Sequence, residues 1–591
     1  MKKILCLILS VFMACGLFGC SNNAPEVEEQ DDAVKFTEGE WTAEVDSMKG
    51  KMNVTVKTSA EKIEDITVEH VDTRVIADTA IERIKGAILE HQTLNVDNVT
   101  GATVTSGALK HGVEEALKEA GVDTSKLQDE IKVDMPAPEN EDVDIVIAGA
   151  GGAGLTAAIT AKNANPDLNV VVLEKLAYIG GSTRVSGGVI WVRNTERNKE
   201  AGIDFEPEYL IDFMEERSGV EVNHPYVTAI GEQAGIFSNY LLEHDSPLTE
   251  EDGLGYDGSL LYSLCPAEAS GGNGGAQVAD YLYEHAKSLG IEVRTDSDVT
   301  SLIVEDGTVK GVTVATAAGE YNVNAKKTIL ATGGFTRNEK LIEKLAPEYT
   351  KNIAFTGAGS NGDGILMTEE LDTVIVGSDM MDLRGLNPNL GYYGPIGGLV
   401  NHPSLFVNKD GNRFMNEKMF YSEMGIEINR QEGKEIYGIV DSQSKKVENL
   451  DKAAEMGYVY KADTLEELAD LAGVNKENML NAVKVNNETK ASGKDAEFGT
   501  PNDRMVTIEK APYYIVPIKP LFIGSIPGLK VTGNAEVVNS KDEVIENLYA
   551  CGELTFGNVF STFYPASGSG VGVSVYSGAV AGTASAEALA E

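Results

Sequence analysis

Basic side chains are scarce in this chain. Its 591 residues include 49 lysines and arginines against 92 aspartates and glutamates, so the formal net charge is −43. Proteins that bind nucleic acid draw most of their affinity from clustered Lys and Arg residues that displace counterions from phosphates. The charge balance therefore argues against nucleic acid as a partner. It also means that attachment to an anionic lipid surface needs a cause other than charge.

Cysteine is also rare, with five in the chain. Cys6 and Cys15 fall in an apolar N-terminal stretch and Cys20 ends it, which leaves Cys265 and Cys551. A single pair so widely separated in sequence is neither a disulfide framework nor a metal cluster. We therefore predict no metal site.

The N-terminus has the features of an export signal. Met1-Lys2-Lys3 is basic, and the apolar stretch from Ile4 to Gly19 is too short to span a bilayer comfortably. Leu17-Phe18-Gly19-Cys20 resembles the bacterial lipoprotein signal, in which the cysteine is lipid-modified and becomes the first mature residue. An ordinary signal peptide cleaved nearby is the alternative. We expect residues 1–20 to be this signal, residues 21–38 to be a flexible acidic linker, and the protein to be exported and anchored to the cell membrane by lipidated Cys20.

A small α+β domain is predicted over residues 39–124. Two segments alternate as strands do, and two have the apolar spacing of helices. Residues 125–141, which carry two prolines and several acids, are predicted to be a second linker. The strand segments are Met52 to Val56 and Ile63 to Val71, and the helical segments are Ile81 to Gln92 and Ala108 to Ala120.

A threonine-rich turn in this small domain resembles the flavinylation motif of FMN-binding domains. Residues 97–105 read Asp-Asn-Val-Thr-Gly-Ala-Thr-Val-Thr. In that motif a transferase joins FMN through a phosphoester to the central threonine, which falls on Thr103. The resemblance implies covalent FMN at Thr103 and a flavin transferase as a partner. An ordinary threonine-rich turn is the alternative.

A strand, a glycine loop and a helix follow one another after residue 142. Asp144 to Ala148 is a run suited to a buried parallel strand, and Gly-Ala-Gly-Gly-Ala-Gly follows it at 149–154. In such a loop Gly149 permits the tight turn, Gly151 lets a pyrophosphate approach the backbone, and Gly154 lets the helix pack on the strand. A second buried strand ends at Glu174, where the ribose-binding acid of this fingerprint belongs. The order of these parts predicts a dinucleotide site.

Further motifs resemble those of the fumarate reductase and 3-ketosteroid dehydrogenase family of FAD flavoproteins. The resemblance extends from residue 142 to the C-terminus and implies non-covalent FAD. It implies an α/β fold in which a Rossmann-like FAD-binding domain, residues 142–380 and 521–591, is interrupted by an α+β cap (substrate) domain at 381–520. The motifs are Gly180-Gly181-Ser182-Thr183, Ser186-Gly187-Gly188, Ala331-Thr332-Gly333-Gly334-Phe335, Gly362-Asp363-Gly364 and Cys551-Gly552-Glu553.

The family pattern implies FAD contacts across the whole domain. Glu553 is expected near the ribityl chain, and Ser182 and Thr183 near the isoalloxazine and phosphates. Two flavins in one chain suggest that FMN takes electrons from an extracytoplasmic donor and passes them to FAD. The sequence has no Cys-x-x-Cys-His haem site and no second nucleotide fingerprint. The residues assigned to FAD are Gly149, Gly151, Gly152, Gly154, Glu174, Lys175, Gly181, Ser182, Thr183, Gly187, Gly188, Thr332, Gly333, Gly334, Asp363, Glu553, Ser569 and Val571.

The expected substrate site departs from the pattern of the fumarate reductases. Those enzymes hold carboxylates with arginines and histidines and use an arginine as proton donor. Here Tyr421 stands at the position of that donor, Asn387 replaces the histidine of a His-Pro pair, and Phe563-Tyr564-Pro565 replaces a carboxylate-binding arginine. Histidines expected between Phe522 and Gly528 are also missing. We therefore expect fumarate to be a poor substrate.

The replacements resemble the ketosteroid branch of the family. There Asn-Glu-x-x-x-Tyr supplies a catalytic tyrosine, which falls on Tyr421. A tyrosine four residues before a glycine holds the keto oxygen, which falls on Tyr564 and Gly568. The Tyr564 hydroxyl and the Gly568 N–H are then expected to converge as neutral donors on an enolate oxygen. Tyr392 and Tyr393, in a glycine-rich cap loop, are further candidates for lining the pocket.

Three functions stay open at this point. The first is a reductase that transfers hydride from FAD to the C=C bond of an α,β-unsaturated ketone such as a 3-ketosteroid, fed through FMN. The second is an enoate reductase of the fumarate, urocanate or acrylate type, with Arg384 holding the carboxylate. The third is a flavin electron-transfer lipoprotein without an organic substrate. Dehydrogenation would use the same groups in reverse.

Overall fold

The computed structural model describes residues 34–386 and 396–590, apart from residues 49, 73, 132–135, 201, 203–206, 253–261 and 267–273. Within those ranges no helix has the length and apolar character needed to cross a membrane. Several sequence-based predictions fall outside the described residues: the signal peptide with Cys20, most of the first linker, Asn387, Tyr392 and Tyr393, and the side chains of Arg384 and Cys265.

The predicted small α+β domain is present at the N-terminal end. Its antiparallel sheet has the order β1-β2-β3, and two helices cover one face. A Cβ at Gly112 would lie 2.5 Å from Cγ2 of Val54, so the glycine lets the second helix approach the sheet closely. The elements are β1 (Gly39–Asp46), β2 (Lys51–Thr58), β3 (Ile63–Glu69), α1 (Arg74–His91) and α2 (Thr103–Glu119).

A second, larger domain follows and has the predicted α/β architecture. Its strands up to residue 376 are β4 (Glu141–Ala148), β5 (Val170–Leu173), β6 (Ile190–Trp191), β7 (Leu248–Asp252), β8 (Tyr262–Pro266), β9 (Glu292–Arg294), β10 (Asp298–Glu305), β11 (Thr308–Thr316), β12 (Gly319–Leu330), β13 (Ile353–Ala354) and β14 (Ile375–Val376). Its helices in the same part are α3 (Gly152–Ala164), α4 (Gly181–Val185), α5 (Glu196–Glu200), α6 (Pro207–Ser218), α7 (His224–Glu243), α8 (Gly274–Ser288), α9 (Glu339–Leu345) and α10 (Asp363–Leu366).

The cap region adds five strands and four helices among the described residues. They are β15 (Met380–Gly385), β16 (Leu405–Val407), β17 (Ile436–Asp441), β18 (Tyr460–Ala462), β19 (Tyr513–Ser525), α11 (Tyr421–Asn429), α12 (Val447–Glu455), α13 (Leu465–Ala472) and α14 (Lys476–Ser492). The chain then ends with β20 (Gly528–Leu529), β21 (Glu536–Val538), β22 (Val544–Ala550) and α15 (Ser569–Glu587).

The central sheet of the large domain has the order β10-β11-β12-β4-β5-β9, with β22 also paired to β12. Strands β12, β4, β5 and β9 run parallel, while β10, β11 and β12 form an antiparallel meander. The carboxyl ends of β4 and β5 therefore lie side by side. In open α/β sheets ligands bind outside this edge of the strands.

The cap sheet has the order β13-β19-β17-β16, with β15 and β18 also on β19. The predicted domain limits at 380–381 and 520–521 fall inside β15 and β19. Because β19 pairs at one end with β13 and along its length with cap strands, one strand joins the cap to the large domain.

The C-terminal helix α15 packs along α3, the helix that follows the glycine loop. A Cβ at Gly578 or Gly582 would overlap the carbonyl oxygens of Ala153 and Ala157, so these glycines allow the two helices to approach closely. Cys551, the residue directly after β22, is a free and buried thiol. The packing brings the C-terminal motif next to the glycine loop.

Candidate active site

A cleft lies at the carboxyl ends of β4 and β5. Eight of the residues assigned to FAD line it: Gly149, Gly151, Glu174, Lys175, Gly181, Thr332, Gly333 and Asp363. Residues that sequence reasoning missed also line it, among them Leu176, Ser297, Asp298, Gly357, Gly359 and Ser360. The glycine-rich run from 357 to 364 was an available signal for three of them.

The glycine loop has the local geometry that a pyrophosphate site needs. Gly149 has φ +107°, and a Cβ there would overlap the carbonyl oxygen of Ala331. A Cβ at Gly154 would overlap the carbonyl oxygen of Gly149, so α3 can pack closely only on a glycine. A Cβ at Gly151 would instead meet nothing within 4 Å. The loop is thus tight against the protein at two glycines and open to a ligand at the third.

Glu174 is buried at the end of β5 and faces the cleft. Its Oε2 accepts from the N–H of Ala150 at 3.0 Å and its Oε1 from the N–H of Leu176 at 2.9 Å. Burial raises the pKa of this carboxyl, and the two hydrogen bonds oppose the rise. The carboxylate therefore fixes the glycine loop as well as presenting an acceptor to a ribose hydroxyl.

Charged groups line the other side of the cleft. Lys175 Nζ forms a salt bridge with Asp363 Oδ2. Asp298 lies near both, and burial raises the pKa of its carboxyl while the charge of Lys175 lowers it. The lysine thus neutralises one carboxylate at a position where a bound dinucleotide would bring further negative charge.

The remaining residues of the first FAD motifs build the walls around the cleft. A Cβ at Gly152 would lie 2.7 Å from Oγ1 of Thr183, and one at Gly188 would overlap the backbone of Gly274. Ser182 Oγ accepts from the N–H of Gly357 at 3.1 Å. Gly187 is half-buried just after α4.

Glu553 joins the C-terminal motif to the Gly333-Gly334 turn. Its Oε1 accepts from the N–H of Ser525 at 2.7 Å and from the Ser525 hydroxyl at 2.9 Å. A Cβ at Gly334 would overlap the Glu553 carboxylate. Burial raises the pKa of Glu553 to about 6, and the hydrogen bonds from Ser525 oppose this rise. The carboxyl is thus held directly behind a turn that lines the cleft.

The two tyrosines assigned to catalysis lie together. Tyr421 is the first residue of α11 and Tyr564 precedes α15, and their ring centroids are 6.0 Å apart. The Ser567 hydroxyl donates to the Tyr421 hydroxyl at 3.3 Å. The Gly570 N–H donates to the Tyr564 hydroxyl at 3.3 Å. Burial raises the pKa of Tyr564, and hydrogen bonds with the Gly570 N–H and Tyr421 oppose the rise.

The start of α15 supplies further polar groups beside Tyr564. Gly568 caps this helix with φ +86°, and a Cβ there would lie 3.3 Å from the backbone nitrogen of Trp191. The hydroxyl of Ser569 is fully buried and has no hydrogen-bond partner in the described part of the chain. Val571, two residues further, is half-buried. A buried, unpartnered hydroxyl at a helix N-terminus fits a polar group of a bound cofactor.

Met381 connects the tyrosine pair to Glu553. A Cβ at Gly570 would lie 3.1 Å from Met381 Cε, and one at Gly524 would lie 2.6 Å from Met381 Sδ and 3.4 Å from Glu553 Oε1. Tyr564, which bonds to Gly570, is therefore linked through Met381 to Glu553, the carboxyl that lies behind the Gly333-Gly334 turn.

One guanidinium also approaches this site and was not predicted. The Cζ atom of Arg217, in α6, lies 5.7 Å from the ring centroid of Phe420 and 5.4 Å from that of Phe563. These are the residues directly before Tyr421 and Tyr564. Arg217 also donates from Nη2 to the carbonyl of Pro565 at 3.2 Å. No sequence motif marks a single arginine in a helix as a residue that will lie beside the active site.

Thr103 is exposed and is the first residue of α2 in the small domain. A helix N-terminus favours a bound phosphate because its first N–H groups are unpaired and its dipole is positive there. Thr105, two residues further along the helix, is buried and donates to the carboxylate of Asp72 at 2.7 Å. Thr103 therefore offers an accessible hydroxyl for a phosphoester, whereas Thr105 does not.

Comparisons with known proteins agree with both flavin sites. A family model described as FAD binding domain matches residues 144–571. A model described as FMN-binding domain matches residues 48–118, which include Thr103. FAD and FMN are thus the cofactors of these two domains.

Two relatives share both parts of the chain. A urocanate reductase of Eggerthella lenta is 31% identical over 87% of this chain and 87% of its own length. An NADH:acrylate oxidoreductase of Vibrio harveyi is 30% identical over 90% of this chain. The chain spans 59% of the length of that second protein.

Solved structures agree with the fold. A flavocytochrome c3 fumarate reductase in its open conformation is 26% identical, with a TM-score of 0.62 over 76% of this chain and 78% of the other. A 3-ketosteroid dehydrogenase of Rhodococcus jostii, at 24% identity and a TM-score of 0.62 over 76% of this chain and 97% of the other, shows the same fold. The chain therefore belongs to the FAD-binding family of flavin-dependent oxidoreductases that act on C=C and CH–CH bonds, the family of the fumarate reductases and 3-ketosteroid dehydrogenases, and it carries an FMN-binding domain ahead of the FAD-binding domain.

Proposed function

We propose that this protein reduces the C=C bond of an α,β-unsaturated ketone, of which a 3-ketosteroid is one example. The observation that carries the proposal is the tyrosine pair, because Tyr421 and Tyr564 present neutral hydroxyls where relatives that act on dicarboxylates are expected to present cations. FAD, when bound, supplies the hydride for the β-carbon of the alkene. The protein must then stabilise charge on the carbonyl oxygen and protonate the α-carbon.

Tyr564 is suited to hold the carbonyl oxygen. Its hydroxyl oxygen accepts from the Gly570 N–H, so the hydroxyl proton is free to be donated to a substrate. Because Tyr564 is buried, such a bond acts in a low-dielectric environment, where it stabilises an enolate more than it would in water. Gly568, which caps α15 just after Tyr564, is expected from the family pattern to supply its N–H as the second donor to that oxygen.

Tyr421 is suited to donate the proton. Its hydroxyl accepts a hydrogen bond from Ser567 and interacts with the Tyr564 hydroxyl, so the Tyr421 proton lies beside the group proposed to hold the carbonyl oxygen. The phenolate formed after the transfer would keep the Ser567 bond and would lie at the N-terminus of α11, where negative charge is favoured. Proton transfer from such a positioned side chain contributes about 10²–10⁴-fold to rate.

Ligand binding to the oxidised protein tests this proposal without turnover, because oxidised FAD has no hydride to give to an alkene. A steroid enone added to the oxidised FAD-loaded protein should shift the flavin absorbance and saturate, and Tyr564→Phe should weaken that binding. Fumarate should cause no shift at matched concentrations. The reverse pattern, with saturation by fumarate alone, would contradict a neutral carbonyl site.

The second candidate is an enoate reductase, and two observations favour it. The relatives that span both domains bear names of reductases of unsaturated acids. Arg217 also lies beside the residues that flank both tyrosines. If Arg217 holds a substrate carboxylate, Arg217→Gln should raise the KM for an aryl acrylate by about 10²-fold and leave ketone reduction unchanged. Arg384→Ala is the parallel test for the cap arginine.

We also propose that FMN is attached to Thr103 by a flavin transferase and receives electrons from an extracytoplasmic donor. The basic and apolar N-terminal sequence that ends at Cys20 supports the proposal, because it resembles the signal of a protein held outside the cytoplasm by a lipid anchor. Cys20→Ala should then abolish incorporation of labelled palmitate and release the protein from the membrane fraction.

The third function, an electron carrier without an organic substrate, is set aside, because the family acts on C=C and CH–CH bonds.

A further inference from the structure

Three loops of the FAD-binding domain have one side on the FAD cleft and the other side on the FMN-binding domain. They are residues 174–178, 296–298 and 357–360. In each loop some residues line the cleft, while their immediate neighbours contact the N-terminal domain. At each of these loops, described residues that line the cleft are next in the chain to residues that contact the FMN-binding domain.

The first loop follows β5 and is the most deeply shared. Leu176 lines the cleft and also belongs to the buried apolar core of the FMN-binding domain. Ala177 and Tyr178 extend that core, and the Tyr178 ring is 6% exposed. The Tyr178 hydroxyl donates to the carbonyl of Gly101, two residues before Thr103, at 3.4 Å. Burial raises the pKa of Tyr178 to about 12, so its hydroxyl keeps its proton as a donor.

The second loop carries an ion pair between the domains. Arg83 of α1 donates from Nη1 and Nη2 to the two carboxylate oxygens of Asp296, each at 2.8 Å. The next two residues, Ser297 and Asp298, line the cleft. The Asp296 N–H donates to the Leu176 carbonyl at 3.0 Å, so the first and second loops are hydrogen-bonded to each other.

The third loop repeats the pattern. Gly357, Gly359 and Ser360 line the cleft, while Ala358 packs against the apolar core of the FMN-binding domain. This loop is tied to the FAD motif, since the Gly357 N–H donates to Ser182 Oγ at 3.1 Å. A ligand that fixes the loop residues lining the FAD cleft must therefore also restrict their neighbours, which contact the FMN-binding domain.

We propose that FAD binding in the cleft and docking of the FMN-binding domain stabilise each other through these three loops. Docking fixes the backbone that lines the cleft, so FAD meets a preorganised site and less conformational entropy is lost on binding. Linkage makes the effect reciprocal: the factor by which docking tightens FAD binding equals the factor by which FAD tightens docking. The docked state also holds Gly101 and, two residues on, Thr103 at a fixed place beside the FAD-binding domain.

Titration of the FAD-free full-length chain with FAD tests the coupling. All variants carry Thr103→Ala, so that FAD is the one flavin that contributes to the fluorescence. Arg83→Glu places a carboxylate against Asp296 without touching the cleft, and we expect it to raise the Kd for FAD by roughly threefold to fivefold. The matched control is Arg83→Glu combined with Asp296→Arg, which restores an ion pair of reversed polarity and should restore the Kd.

Hydrogen exchange on the unaltered chain gives a second readout that needs no interface variant. FAD should slow the exchange of amides in α1, Arg74–His91, although this helix lines no part of the cleft. Equal FAD affinity in all variants, or exchange in α1 that is indifferent to FAD, would overturn the coupling. Neither measurement uses a substrate, so its failure would leave the proposed ketone reduction untouched.

Discussion

The rings of Tyr421 and Tyr564 lie with their centroids 6.0 Å apart, although one begins a cap helix and the other precedes the last helix of the FAD-binding domain. The cap and the FAD-binding domain must therefore be in contact for the pair to form. Strand β19, which pairs with strands on both sides, provides this continuity. The catalytic proposal depends on that contact.

Replacing Tyr421 by Phe removes the proposed proton donor and keeps the ring. We expect kcat to fall by about 10²–10⁴-fold with little change in KM, because the hydroxyl acts on the transition state. Reduction of FAD by dithionite should be unchanged. Tyr513→Phe is the control, since the Tyr513 hydroxyl donates to the Glu509 carbonyl in the cap and should be dispensable. Equal activity of both variants would rule out Tyr421 as the donor.

Two glycines of the FAD loop should respond differently to Ala. Gly154→Ala brings a Cβ onto the Gly149 carbonyl, and we expect a loss of about 1–3 kcal/mol in the free energy of unfolding even without FAD. The Cβ that Gly151→Ala adds points into open space, so without FAD this variant should have the same free energy of unfolding as the unaltered chain. Its affinity for FAD should fall, because the added methyl occupies the place where the pyrophosphate approaches the backbone. Denaturant unfolding and FAD titration separate the two effects. Equal destabilisation by both substitutions would argue against the open face at Gly151.

Thr103→Ala should abolish covalent FMN. The hydroxyl is exposed at the start of α2 and is the acceptor that the motif implies. Intact-mass measurement after coexpression with a flavin transferase should show the chain without the added mass of FMN. Thr67→Ala, which alters another exposed threonine of the same domain, should keep it. Retention of the FMN mass in the Thr103→Ala protein would move the attachment site elsewhere.

Glu553 should make stability depend on pH. Burial raises its pKa to about 6 in the folded chain from an ordinary value of 4.5, so the folded state holds the proton more tightly than the unfolded state. The resulting stability is fully present below pH 4.5 and is lost as the pH rises through 6. As the pH rises from below 4.5 to above 6, the unaltered chain should lose about 2 kcal/mol of its free energy of unfolding through this carboxyl, and Glu553→Gln should not. Unfolding of the FAD-free proteins by urea across this range measures the difference, and a difference independent of pH would contradict the shifted pKa.

Sequence patterns predict those parts of the site whose residues lie close together in the chain. The glycine loop, the strands on either side and Glu174 follow one another within a single βαβ unit, so their residue types and order suffice. Tyr421 and Tyr564 were identified through motif positions, and the structure brings them together. Their chemical roles stay predictions until they are measured.

The parts that sequence patterns miss arise from contacts distant in the chain. Arg217 and Met381 reach the site from α6 and β15 with no local motif to mark them. Asp296 and Tyr178 look like ordinary surface and core residues until the FMN-binding domain is placed against them. A single polar or aromatic residue has no periodicity, so only the packed structure shows its partner.

Anaerobic reoxidation of the dithionite-reduced, FAD-loaded protein tests the central claim most directly. Flavin absorbance would be followed after addition of a steroid enone or of fumarate at equal concentration. We expect the enone to reoxidise the flavin faster by about a hundredfold or more, because neutral donors can bind a ketone but cannot neutralise two carboxylates. Faster reoxidation by fumarate would contradict the ketone site that Tyr421 and Tyr564 are proposed to form.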